Sequence, residues 1–174
     1  SCSGRGCVCG RSCSAVHVVD SEPLVWSAEY VAASQLADSD IRPVFEWLQP
    51  GIGKPNWNAV TLVSSTTKTL WHQWPRLQLH NQMLCRRFES ADGLDISWQV
   101  VLPKVYRTEF IRIAHSGIGG GHLGRSRTEK QVHRRCYWPG WSIDVRSELR
   151  RCASCAQYHR GAPSSNDFIQ RSRK

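Results

Sequence analysis

The sequence contains no run of eighteen apolar residues and no basic-then-apolar leader, which leaves no recognisable membrane-spanning helix or secretory signal. A soluble, intracellular chain with no membrane partner is the expectation. Methionine is nearly absent, with Met83 the single one, and the chain starts at Ser1, so the 174 residues read as a segment of a longer product. Hydrophobic residues make up 40%, toward the low side for a globular protein, which argues for one or two small domains rather than one large core. Acidic residues are scarce in the second half: residues 104–174 hold five Asp and Glu, with only Asp167 after Cys155. That scarcity leaves no carboxylate cluster able to hold paired catalytic metals. The glycine-rich run from Ser116 to Gly124 lacks the Lys and Ser/Thr of a phosphate-binding P-loop. No local hydrolase signature accompanies the seven histidines. The chain by itself is therefore expected not to be an enzyme.

What is present is cysteine, histidine and positive charge, unevenly placed. Residues 1–103 carry eight Lys and Arg against nine Asp and Glu, net −1; residues 104–174 carry fifteen against five, net +10. A small basic region points to a polyanionic partner, nucleic acid being the usual one, although a solvated face is the plain alternative. Eight cysteines in an intracellular chain are better read as metal ligands or buried thiols than as disulfides. Cys2, Cys7, Cys9 and Cys13 lack the paired spacing of common zinc sites, and residues 1–24, rich in Gly, Ser and Cys, read as a disordered linker. His115, six residues, His122, twenty-nine residues, then Cys152-Ala153-Ser154-Cys155 supply two nitrogen and two sulfur ligands, the set that closes a tetrahedral structural zinc site.

Apolar spacing predicts a helix over Trp26 to Leu36, a restart through Ile41, Phe45 and Leu48, and an imperfect helix from Asn58 to His80, bent at Pro75, within a helical region 25–81. The tryptophans here are expected to be core aromatics. Extended runs Gln82 to Phe88 and Leu94 to Leu102, joined by a loop containing Asp92-Gly93, predict a β-hairpin over 82–103. Pro103 starts a helix with Val105 or Tyr106, Phe110, Ile113 and Ala114 on its core stripe, and His115 comes at its end. Ser126 and Glu129 have capping-box spacing, so a second helix runs to about Arg135. Trp141, Val145, Leu149 and Cys152 mark one face of a third, after the break at Trp138-Pro139-Gly140. The fold class is α+β and mainly helical: a helical N-terminal region, a hairpin, a zinc-bound three-helix unit over 104–160, and a basic disordered tail over 161–174.

A second ligand set also has zinc spacing: His133-x2-Cys136, fifteen residues, then Cys152-x2-Cys155. Spacing alone does not decide between the two. The position of His133 and Cys136 across a helix end, with Tyr137-Trp138-Pro139 behind, favours His115 and His122. His17, His72 and His80 read as solvated or partly buried, and His159 as a spare ligand at most.

The string His115-x6-His122-Leu123-Gly124, Thr128, Tyr137-Trp138-Pro139-Gly140, Asp144-Val145 and Cys152-x2-Cys155-Ala156-Gln157 resembles the zinc-binding amino-terminal domain of integrases from gypsy-type LTR retrotransposons and related retroviruses. The resemblance implies a polyprotein fragment with a helix-turn-helix-like domain, one structural Zn2+ held by His115, His122, Cys152 and Cys155, integrase self-association, and binding of element DNA ends during integration in the nucleus. It also implies that the catalytic carboxylates, reverse transcriptase and RNase H lie outside this chain. Arg125, Arg127, Lys130, Arg134 and Arg135 on one helix, with Arg146, Arg150 and Arg151 on the next, are the expected contacts to DNA phosphates, without base reading. A host protein that retains the zinc domain only for protein interaction is the alternative; steep salt dependence of binding would separate the two.

Overall fold

The computed structural model describes residues 26–50, 52–89, 96–117 and 121–161, with side chains to residue 157. The linker over 1–24 with its four cysteines and His17, the hairpin loop over 90–95, the middle of the glycine loop, the side chain of His159 and the tail beyond 161 lie outside these residues.

Helix α1 spans Ala28–Ala37, with the Ser27 hydroxyl accepting from the Tyr30 amide at its start. Helix α2, Arg42–Trp47, follows after a break at Asp38-Ser39-Asp40, in keeping with the expected restart. The helix expected from Asn58 to His80 is instead three pieces and a strand. α3 is Trp57–Val60, α4 is Ser65–His72 with the Ser64 side chain as cap, a 3-10 turn covers Trp74–Arg76, and Leu77–His80 is strand β1. Pro75 cannot supply the amide that helix continuation needs, and beyond it the chain extends along β2, Met83–Glu89. The β1–β2 turn at Asn81-Gln82 has both φ angles positive, 48° and 63°, as the favoured two-residue hairpin turn requires. Gln82 in place of the customary glycine hides this turn from sequence reading.

β3, Ile96–Val101, pairs antiparallel with β2 at Cys85↔Val100, as the hairpin reading required. β4, Cys136–Tyr137, pairs parallel with the end of β3, giving a four-stranded sheet in the order β1-β2-β3-β4. The pleat sends alternate residues to two apolar clusters. One face carries Met83, Cys85, Val100, Leu102 and Cys136 against Val31 and Ala32 of α1 and against the C-terminal helices. The other carries Leu77, Leu84, Val101 and Tyr137 against Ile41, Val44, Phe45 and Leu70.

Those C-terminal helices are α5, Lys104–Ser116; α6, Arg125–Arg135; α7, Trp141–Arg151; and α8, Ala153–Gly161. On α5 the buried residues are Phe110, Ile111 and His115, with Tyr106 and Ala114 packed against the core as expected, whereas Val105 and Ile113 are exposed and Ile111 takes the core position expected of Ile113. Pro103, at the cap of α5, offers no side-chain acceptor; the Asp38 carboxylate takes that part and accepts from the Lys104 amide at 2.9 Å. The Ser126–Glu129 capping box does not form, because α6 begins two residues earlier, with Gly124 as cap, and places Ser126 inside the first turn. Gln35, with no exposed surface, locks α1 onto the sheet: its amide donates to the Leu84 and Val101 carbonyls at 3.0 and 2.7 Å, and its oxygen accepts from the Leu84 amide at 2.7 Å.

Candidate metal centre

Helix α5 ends at Gly117, whose φ of 62° a side chain would resist and where an added Cβ would meet the Gly121 carbonyl oxygen at 3.2 Å. The chain then returns so that the Leu123 amide donates to the His115 carbonyl at 2.7 Å. In the reverse direction the His115 Nδ1–H donates to the Leu123 carbonyl at 2.9 Å. This pair of bonds closes the glycine loop and settles the tautomer: with Nδ1 protonated, Nε2 is left as a lone-pair ligand. Thr128, fully buried on the first turns of α6, supports the same carbonyl from the other side; its hydroxyl donates to Leu123 and Gly124 at 3.2 and 3.3 Å.

His122 is brought to His115 by this loop, with Nδ1 3.0 Å from His115 Nε2. At the far end, α7 stops at Arg151, Cys152 adopts an extended conformation, and Cys155 lies on the first turn of α8. The Cys152 sulfur is 3.3 Å from His122 Nδ1, and the Cys155 sulfur 3.2 Å from His115 Nε2. All four ligand atoms lie within 4.8 Å of one another. Edges of a zinc tetrahedron with ordinary Zn–N and Zn–S bonds are roughly 3.3 to 3.8 Å, so shifts of about an ångström or less would bring the four atoms to its corners. Burial, together with the hydrogen bond and charge of the neighbouring Cys152, holds the Cys155 thiol above its ordinary value. Two adjacent thiolates are stable only with a cation between them, and zinc is the ion suited to two imidazoles and two thiolates.

These four residues hold one structural Zn2+. The competing set fails on position. Cys136 is completely buried in the sheet core, where burial pushes its thiol far up, and Cys85 across the sheet is pushed up to about 12 for the same reason. His133 packs edge-on against Phe88 and beside Trp141, and burial together with the charge of Arg86 holds its imidazole below the ordinary value. Its backbone carbonyl is occupied by the Gln99 amide. Among the described residues no other group of His, Cys, Asp and Glu side chains comes close enough to hold a metal.

The segment between the ligands has structural reasons for its residue types. Gly140 caps α7 at a φ of 83°, a left-handed position that favours glycine. Trp138 is fully buried and its indole N–H donates to Asp144 at 2.7 Å, tying the strand end to the first turn of α7. Val145 has no exposed surface.

Residues 102–160 match the family model of the integrase zinc binding domain. The match covers about a third of the chain and contains all four ligands. It marks this part of the chain as integrase-related. No curated protein and no solved structure matches the chain.

The eight basic residues expected at DNA separate into groups. Arg127, Lys130 and Arg134 are exposed at i, i+3 and i+7 of α6, opposite the buried Thr128 and Val132. Arg125 and Arg146 converge on Glu129, at 2.9 and 3.7 Å, and so connect α6 to α7. Arg135 is half-buried at the end of α6, while Arg150 and Arg151 are exposed on α7. Arg151 lines a groove of about 280 Å3 beside His115, His122 and Cys152. Sequence reasoning found the ligands but not the parts played by Leu123 and Thr128; the resemblance alone drew attention to those positions. Among the described residues no helix is long and apolar enough to cross a membrane.

Proposed function

We propose that this chain serves as the zinc-held segment of an integrase encoded by a gypsy-type retrotransposon polyprotein, positioning the protein on DNA and supporting self-association. The observation that carries the DNA reading is the exposed stripe Arg127, Lys130 and Arg134 on α6, with Arg150 and Arg151 exposed on α7, His122 shortly before α6 and Cys152 directly after α7 belonging to the same metal site. Holding basic helices at a fixed angle aligns their charges along a phosphate backbone, which orients a protein on DNA without reading bases. The part of the chain at the metal is architectural rather than chemical. Four protein ligands saturate a tetrahedral zinc, and a catalytic zinc needs an open position for water or substrate. Strand transfer belongs, on this reading, to other parts of the integrase.

Titrating duplex DNA at several salt concentrations tests the proposal. Binding should be weak, largely independent of sequence and steeply salt-dependent. Replacing Arg127, Lys130 and Arg134 by Ala should reduce the salt slope by about 2.7, three phosphate contacts being lost. An unchanged slope, with zinc content and helicity preserved, would show that this face is not the DNA surface.

A further inference from the structure

Five of the eight tryptophans pack into or against the two apolar clusters, but Trp57, Trp71 and Trp74 belong to neither. Trp57 and Trp71 form a separate surface in residues 52–72. Trp57, at the start of α3, is 42% exposed, with its ring centroid 5.3 Å from that of Trp71 and 5.6 Å from that of His72. Trp71 and His72 meet edge to face at 5.1 Å. The Trp71 indole N–H donates to the Pro55 carbonyl at 3.1 Å, which orients the ring, and the Lys54 ammonium sits 4.0 Å from its centroid. Rings left outside the core forgo the burial that makes tryptophan useful to folding.

Charge identifies what the rings face. Between Glu46 and Glu89 the sequence has no Asp or Glu, while Lys54, Lys68, Arg76, Arg86 and Arg87 fall in that interval, in a half of the chain that is otherwise slightly acidic. Lys68, Trp71 and His72 share one face of α4 at i, i+3 and i+4. An apolar protein partner would use the rings but has no need of Lys54 over Trp71 or of Lys68 on the same face of α4. A polyanion whose units carry flat rings uses both, and duplex DNA keeps the faces of its bases inside the stack.

We infer that Trp57, Trp71 and His72, with Lys54 and Lys68, form a stacking platform for unpaired bases of a single-stranded nucleic acid. A base lies on the exposed part of Trp57 while the lysines neutralise flanking phosphates. This surface is separate from the α6 stripe and does not depend on it.

The test uses the full zinc-loaded chain and two labelled strands of about twelve units, oligo(dT) and an abasic sugar-phosphate strand, titrated by fluorescence anisotropy. Oligo(dT) should bind more tightly than the abasic strand. Trp57→Ala should weaken oligo(dT) binding about tenfold and leave the abasic strand unaffected, while Trp57→Phe keeps most of the affinity. Lys54→Ala should reduce the salt slope by about 0.7. The Arg127, Lys130 and Arg134 triple variant should retain the preference for oligo(dT), which separates this surface from the duplex-binding proposal. Equal affinity for the two strands would overturn the inference. So would unchanged oligo(dT) binding by Trp57→Ala at native zinc content and helicity, or a variant that alters only self-association in sedimentation, the mark of an apolar protein interface.

Discussion

The sheet region and the metal region of this protein are held by different means. Strands β1 to β3 with α1, α2 and α4 bury side chains on both faces of the sheet, so that Met83 to Arg86 are buried without alternation. Helices α5 to α7 bury few residues of their own, α6 only Thr128 and Val132 and α7 only Val145, and most of those pack against the sheet. A helix hairpin with so little apolar surface does not fold on burial alone. The metal joins the end of α5, the loop before α6 and the junction of α7 with α8, where the hydrophobic contribution is thinnest. The difference shows that zinc completes a core shared with the upstream strands.

The largest effect should come from the metal. Chelation, or Cys152→Ala, should abolish the one equivalent of zinc found by metal analysis and remove on the order of 10 kcal/mol of folding energy from the helical region. Hydrogen exchange then tests the contrast directly: amides of α5 to α7 should lose protection, those of the β1–β2 hairpin much less, and those of the β3–β4 pair an intermediate amount. Uniform loss throughout would show that the two regions are one cooperative unit.

Next in size is Gln35→Ala, which leaves buried backbone groups of Leu84 and Val101 without partners. A destabilisation of about 3 kcal/mol in urea unfolding is expected, with zinc stoichiometry unchanged. Thr128→Val should act on the other region. It keeps the side-chain shape, removes the hydroxyl that steadies the Leu123 carbonyl, and should weaken zinc binding about tenfold in a chelator competition.

The smallest effect lies at the junction. Asp40 is largely buried, which raises a carboxyl pKa, but hydrogen bonds to Lys104 and Ser64 and the charges of Lys104 and Arg107 outweigh this and lower it. A depressed folded-state pKa contributes stability above the ordinary carboxylate range that is lost as pH falls through the folded value. Asp40→Asn should therefore cost under about 1 kcal/mol near neutral pH, because Lys104 is mostly exposed, and should flatten the acid limb of the stability profile.

Much of the metal centre was legible because its signal is chemical. Ligand types at fixed separations name the ion before any fold is known, and the helices carrying them have ordinary local periodicity. The positions around the ligands were harder: Thr128 reads as one more polar helix residue until the fold brings Leu123 over it. Strand β1 was misread as helix because Trp71, Trp74 and Leu77 continue a helical i, i+3 spacing and four residues are too few for Leu77 and Leu79 to establish a period of two, and β4 gave no signal because two residues have none. Core membership of the tryptophans was likewise invisible, since Trp57 and Trp138 look equally suited to burial by type, yet one is 42% exposed and the other wholly buried.

By itself, then, the sequence determined the Cys152-x2-Cys155 pair with two candidate partner sets, the basic character of the second half, and the β2–β3 pairing, because each is written in residue type and short-range spacing; the family resemblance favoured His115 and His122, and the fold brought them to the two cysteines. Tertiary structure alone decided that β4 joins the sheet in parallel, that Gln35 and Asp38 of the N-terminal region secure the sheet and α5, and that Arg146 of α7 reaches Glu129 of α6. The physical reason is distance along the chain: a hydrogen bond or ion pair between residues far apart in sequence depends on where the intervening chain places both partners, and no local pattern encodes that placement.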